Sequence, residues 1–218
     1  MLKSFFLQQE ELMILSALFG INQIYGIKGK QLPEEQVPYK IHQMTRTGIF
    51  ELKGFELFVQ EPYHTIMQKL KESSLAIIVN NRGKTEQKIW FYIGMSIVCL
   101  EESRTDTNAI KISLLEKQEF FSFLEEKGFI LEELLDNELE RLESVQELRY
   151  VQDECSKKMK FCLCSLEDES KKCVKELTIL RSLHNYWLQE FWEDKEKNMV
   201  PYERERLKEI LYRWMEED

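Results

Sequence analysis

Two successive stretches of the chain, 60–128 and 129–218, present the same order of elements, and that order limits the fold more than any other feature. In the first, 60–73 sets Tyr63, Ile66, Met67 and Leu70 at helical spacing. Residues 75–79 form a short apolar strand closed by Asn80-Asn81-Arg82-Gly83, 89–100 is a longer aromatic and β-branched run, and 109–114 is another strand. Residues 116–127 then place Phe120, Phe121 and Leu124 on one helical face, with Gly128 as its stop. The second stretch opens on Leu131, Leu134, Leu135, Leu139, Leu142 and Val145, a helix of about 18 residues. Strands follow at 159–166, 172–180 and 186–192, with Asp168-Glu169-Ser170 as a turn. Pro201 opens a last helix carrying Leu207, Ile210, Leu211 and Trp214 on one stripe. Both stretches read α, β, β, β, α. They share no convincing residue identity, so the repeat is one of element order. Six strands in two three-strand meanders suit one mainly antiparallel sheet flanked by helices, an α+β fold.

The first 59 residues read differently. A helix over 7–19 aligns Leu12, Leu15 and Phe19, with Ile14 and Leu18 beside them, and ends at Gly20. A second helix over 37–47 has Pro38 in its first turn, Ile41 and Met44 as an i, i+3 pair, and Gly48 as its stop. Two β-prone runs, 49–52 and 55–58, then flank a Lys53-Gly54 turn. Helix, helix, small hairpin is the outline of a winged helix. The chain is therefore expected to be a single domain over 1–218, with a winged-helix-like part at 1–59 and two αβββα halves at 60–128 and 129–218.

The composition supports packing and restricts the partners. With 43% hydrophobic, 11% aromatic and 32% charged residues, the chain can bury a core, which excludes a disordered tail protein. A net charge of −9 makes it a poor general binder of nucleic acid or anionic membrane, both of which select Lys/Arg surfaces. Within the first sixty residues Lys3, Lys28, Lys30, Lys40, Arg46 and Lys53 are balanced by Glu10, Glu11, Glu34, Glu35, Glu51 and Glu56. A DNA-reading helix at 39–47 would have only Lys40 and Arg46 to offer, so a wing used for packing or protein contact is expected in its place. Residues 116–147 hold eleven acids against Lys117, Lys127 and Arg141, a solvated helix face or a docking surface for a basic partner. The apolar run 12–19 falls well short of the ~20 residues that span a bilayer, and Gln8 to Glu11 interrupt any signal-peptide core. The expected location is cytoplasmic, with no membrane partner.

Catalytic signatures are lacking. No G-x-S-x-G elbow, P-loop or G-x-G-x-x-G occurs, and Gly26-Ile-Lys-Gly29 is an isolated loop. His42, His64 and His184 stand far apart in no ligand pair and read as histidines at the edge of the core. The adjacent acids Glu10-Glu11, Glu34-Glu35, Glu101-Glu102, Glu125-Glu126 and Glu132-Glu133 read as solubilising, because acid/base pairs need a fixed separation in a cleft. Cys99, Cys155, Cys162, Cys164 and Cys173 are odd in number, which argues against a secreted disulfide framework. Cys162 and Cys164, two apart in a strand, share a face. The spacing C-x6-C-x-C-x8-C lacks the C-x2–4-C pair with which one turn presents two thiolates to zinc, so reduced structural thiols are expected in preference to a metal site. The expectation is a protein-binding chain with no catalytic, cofactor-binding or metal residues.

Two segments carry a family resemblance. "EELMILSALFG" (10–20) is a Glu-Leu-x-x-Leu helix, and "MTRTGIFELKGFEL" (44–57) joins a Gly-ended helix to a small hairpin. With two sheet-plus-helix halves and a C-terminal amphipathic helix behind them, the chain resembles the EspG-like chaperones of type VII (ESX) secretion systems. That resemblance implies an acidic cytosolic protein of two quasi-equivalent halves around a central sheet. It would escort helical secretion substrates without being exported itself. The chain is shorter than the mycobacterial members, and the resemblance assigns no individual contact residue. The other reading from the residues is a winged-helix transcriptional regulator with an effector domain.

Overall fold

Five helices and twelve strands can be placed along the described residues of the computed structural model, which are 4–22, 24–27, 32–81, 87–103, 106, 108–132, 156–166, 173–181, 186–192, 195–196 and 199–216. In chain order they are β1 (Ser4–Gln8), α1 (Gln9–Leu18), α2 (Val37–Arg46), β2 (Phe50–Lys53), β3 (Glu56–Val59), α3 (Tyr63–Lys71) and β4 (Leu75–Asn81). There follow β5 (Gln87–Ile93), β6 (Ile97–Glu102), β7 (Ala109–Leu115), α4 (Phe120–Glu126), β8 (Ser156–Ser165) and β9 (Cys173–Arg181). The chain continues through β10 (Tyr186–Trp192), β11 (Lys195–Glu196), β12 (Val200–Pro201) and α5 (Arg204–Glu216). Of the helix expected from Leu131 to Val145 only Leu131 and Glu132 are described; residues 133–147 of the acidic stretch, the turn at 168–170, Cys155 and His184 lie outside the described residues.

Ten strands join one sheet in the order β1-β7-β6-β5-β4-β8-β9-β10-β11, with β12 also on β10, while β2 and β3 pair apart as a hairpin. Every pairing with a described register is antiparallel. The α+β expectation of a large antiparallel sheet flanked by helices is what the chain adopts. Contacts divide it into two compact units that interleave in sequence, one of Met1–Ser73 with Trp90–Lys117, the other of Ser74–Ile89 with Gln118–Asp218.

In the first unit α1 buries Leu12 and Leu15, α3 buries Ile66, Met67 and Leu70, and α3 packs on β6, whose Ile97 to Leu100 are all buried. The N-terminus of α1 is held by the Glu11 carboxylate, which accepts from the Gln8 N–H at 2.9 Å and faces Lys40 of α2 at 3.3 Å. In the second unit α4 buries Phe120, Phe123 and Leu124, and α5 buries Leu207, Ile210, Leu211, Trp214 and Met215. These two helices meet where Glu125 pairs with Arg204 and, at 3.2 Å, with Lys208. The Arg204 guanidinium, with Lys208 beside it, holds the Glu125 carboxyl below the usual carboxylate range. Phe121 stacks on Tyr212 in the same seam, centroids 6.4 Å apart. The Tyr202 hydroxyl accepts from the Leu131 N–H at 2.9 Å and donates to the Leu131 carbonyl at 3.1 Å.

The structure corrects three boundaries. The expected helix 7–19 begins at Gln9, because Leu7 belongs to β1 and pairs with Ile110 of β7. Its buried side chain is held by a partner a hundred residues away, which a local pattern does not reveal. The run 89–100 is two strands, not one, so the first meander has four strands instead of three. Gly94, Met95 and Ser96 turn the chain, with the Gly94 N–H donating to the Ser96 carbonyl and Met95 projecting into solvent. Finally, Pro201 does not open the last helix. It sits in β12 against Trp187, an edge position that its missing N–H tolerates, and α5 starts at Arg204.

Candidate partner-binding surface

The β2–β3 hairpin carries an apolar face that is exposed toward its tip. Its register sets Phe50 opposite Val59, Glu51 opposite Phe58, Leu52 opposite Leu57 and Lys53 opposite Glu56. Since side chains alternate, Phe50, Leu52, Leu57 and Val59 share one face, and Glu51, Lys53, Glu56 and Phe58 the other. The root is anchored: Ile49 and Phe50 are buried, and the Gln60 N–H donates to the Ile49 carbonyl at 2.9 Å. Toward the tip the same apolar face emerges into solvent, with Leu52 60% and Leu57 36% exposed, and Phe55 wholly exposed at 105%. Gly54 makes that tip possible with φ +66°, a left-handed turn position that other residues adopt only at a cost.

On the opposite face Lys53 pairs with Glu51 at 3.1 Å and lies 5.6 Å from the Phe58 ring. The Gln60 amide donates to Glu51 at 2.9 Å. Polar contacts thus brace one side of the hairpin, where Phe58 is 42% exposed, while the other offers Leu52 and Leu57, with Phe55 at the tip. Two strands alone are marginally stable in water, so such a hairpin draws its stability from its root or from a surface laid against its apolar face. Burying one large apolar side chain there is worth roughly 1.5–3 kcal/mol. In sequence this was legible only as a wing. The two β-prone runs about the Lys53-Gly54 turn gave the signal, but not the exposure of Leu52 and Leu57.

The residues singled out in sequence lie elsewhere. His64 half-buries its ring edge-on to Phe19 at 5.4 Å, an edge-of-core position, but His42 is exposed on α2 and so departs from that reading. Glu10 and Glu11 are not free solubilising acids, because both face Lys40, at 3.8 and 3.3 Å. Glu101 is buried on β6, 3.5 Å from Lys111, which also overturns the solubilising reading there. Lys40 is thereby occupied within the protein, leaving Arg46 as the one basic residue of α2 without a described ion pair. Cys99 is buried in β6, whereas Cys162, Cys164 and Cys173 come together across β8 and β9.

No protein-family model matches the chain, and no curated protein does. Among solved structures it is similar to the Mycobacterium tuberculosis type VII secretion system chaperone EspG5, solved in complex with a PE25-PPE41 dimer. The superposition has a TM-score of 0.56 at 11% identity and covers 94% of this chain and 93% of that one. At that identity the likeness is one of fold: the chain has an EspG-like fold. Among the described residues, no helix is long and apolar enough to cross a membrane.

Proposed function

We propose that the protein is a cytoplasmic chaperone or adaptor that binds a helical substrate of a type VII-like secretion system and covers apolar surface on it before export. The observation that carries this reading is the hairpin face of Leu52, Phe55 and Leu57, held out in solvent on a braced support. The EspG-like fold supports it, since the similar structure is that of a secretion chaperone carrying its protein partner. An exposed apolar group rimmed by charge suits a protein partner, with the aromatic residue as anchor.

The test compares the wild-type chain with a Phe55→Asp/Leu57→Asp variant in pull-downs from native lysate, read by quantitative mass spectrometry. The expected result is a protein rich in apolar helix recovered with the wild type and reduced at least tenfold with the variant. Losing an anchor worth ~2 kcal/mol exceeds the ~1.4 kcal/mol that a tenfold change represents. Both side chains of the pair are exposed, so the unfolding free energy should stay within ~0.5 kcal/mol of the parent per site. Equal recovery by both proteins would remove the hairpin from the interface.

The regulator reading makes the opposite prediction. With Lys40 held by Glu10 and Glu11, α2 presents little positive charge, and the chain should not shift duplex DNA at ~150 mM salt. A salt-resistant shift on one operator sequence, lost in Arg46→Ala, would favour a transcriptional regulator.

A further inference from the structure

The β8–β9 ladder assembles sulfur and carboxylate donors on one face, and it does so through a bulge. Counting back from Cys162 opposite Glu176 and Leu163 opposite Lys175, a regular ladder would set Val174 opposite Cys164. The register shifts there, and Cys164 faces Cys173 instead. In an unbroken strand Cys173 and Glu176, three apart, would point to opposite faces. The extra residue Val174 turns Cys173 onto the face that already holds Cys162, Cys164 and Glu176. Bulges commonly re-aim a side chain in this way beside functional sites.

As a result the Cys162 and Cys173 sulfurs and a Glu176 carboxylate oxygen all lie within 4.8 Å of one another. Cys173 is open to solvent, Cys162 and Glu176 are half-buried, and Cys164 is buried behind them. Hydrogen bonding from the Cys162 thiol, followed by that from Cys164, lowers the Cys173 pKa well below that of a free thiol; the same bond, then burial, pushes Cys162 up. When protonated, Cys173 can instead donate to the Lys175 carbonyl at 3.1 Å. Lys160 lies beside the group, paired with Glu176.

We propose that this face is a binding site for zinc or a similarly thiophilic divalent cation, with Cys162, Cys173 and Glu176 as ligands and Cys164 opposite Cys173 at hand for the fourth position. Zinc holds thiolates at ~2.3 Å and carboxylate oxygens at ~2.0–2.2 Å, so tetrahedral donors sit roughly 3.5–3.8 Å apart. The donors lie within 4.8 Å of one another, a little wider than that spacing. Binding expels the remaining thiol protons to solvent and changes no oxidation state. Two thiolates and a carboxylate bring three negative charges to a dication and the Lys160 ammonium balances the remainder, with one further charge when a Cys164 thiolate fills the fourth position. Zinc sites built on turns take C-x2–4-C pairs, and here a strand ladder supplies the proximity that such a turn would give.

The experiment titrates the full chain, purified with a phosphine reductant, with cobalt as a spectroscopic substitute for zinc. The proposal expects one cobalt per chain, a sulfur-to-cobalt charge-transfer band and the intense visible absorption of tetrahedral cobalt, all displaced by zinc. Cys162→Ser and Cys173→Ser should each weaken the affinity at least tenfold, with far-ultraviolet dichroism unchanged. Cys99→Ser, buried on β6, should bind like the parent. An octahedral cobalt spectrum, a tetrahedral one that survives Cys173→Ser, or recovery of a Cys162–Cys173 disulfide from anaerobically lysed cells would each overturn the assignment.

Discussion

Trp214→Ala should lower the free energy of unfolding by about 3–5 kcal/mol, the cost of truncating a large buried aromatic and leaving a cavity. Trp214 is 3% exposed and belongs to a stripe with Leu207, Ile210, Leu211 and Met215, all buried along α5. An apolar stripe of this kind can either close a core or form a groove for a partner. Complete burial assigns it to the core, since no face of it remains for a partner to touch. A loss of this size is a large share of the ~5–15 kcal/mol that stabilises a domain, so the midpoint in denaturant should fall markedly. Arg213→Ala, on the exposed side of the same helix, should move it by no more than ~0.5 kcal/mol. A Trp214→Ala protein as stable as its parent would mean that α5 does not close this core.

Periodicity made the local elements legible. The stripe of α5, the Gly-ended α4, the α2 helix with its early proline and the β2–β3 hairpin all follow from spacing and turn residues within one segment. What stayed hidden depended on partners distant in sequence. β1 is a strand because β7 lies beside it, and Phe5 and Phe6 alone could equally begin a helix. The Gly94 turn was masked by apolar residues on both sides, since buried neighbouring strands read as one continuous run. The same limit applies to the candidate sites. The hairpin could be found from its two β-prone runs and the Lys53-Gly54 turn, but its exposed face could not. Cys162, Cys164 and Cys173 stand out in the sequence, but their meeting does not, because it requires both the β8–β9 register and a bulge that reverses the facing of Cys173. Lys40 is a comparable case: as a sequence it counts toward DNA binding, while in the fold two glutamates hold it.

The second large effect is expected at a position that reads in sequence only as a loop. Gly26→Ala should destabilise the protein by roughly 2–5 kcal/mol, from two separate causes. Gly26 has φ +83°, in the left-handed region, where a Cβ costs on the order of 1–2 kcal/mol. A Cβ there would also lie 1.9 Å from Trp90 Nε1 and 2.7 Å from its Cδ1 and Cε2. Trp90 is a buried indole on β5 and has little room to withdraw, so overpacking adds about 1–3 kcal/mol. The adjoining Tyr25 carbonyl accepts from the Tyr92 hydroxyl at 2.7 Å, which pins the loop to the same strand and opposes relief by backbone movement. Gly54→Ala separates the two causes. Gly54 has a similar φ of +66°, but nothing lies within 4 Å of its added Cβ, so only the backbone cost remains. In chemical denaturation Gly26→Ala should therefore lose clearly more stability than Gly54→Ala. Pairing it with Trp90→Leu should recover part of the loss, a coupling that appears as non-additivity in a double-mutant cycle. Equal costs at the two glycines, or strict additivity with Trp90→Leu, would show that the loop does not press on the indole and that the backbone cost is all that Gly26 avoids.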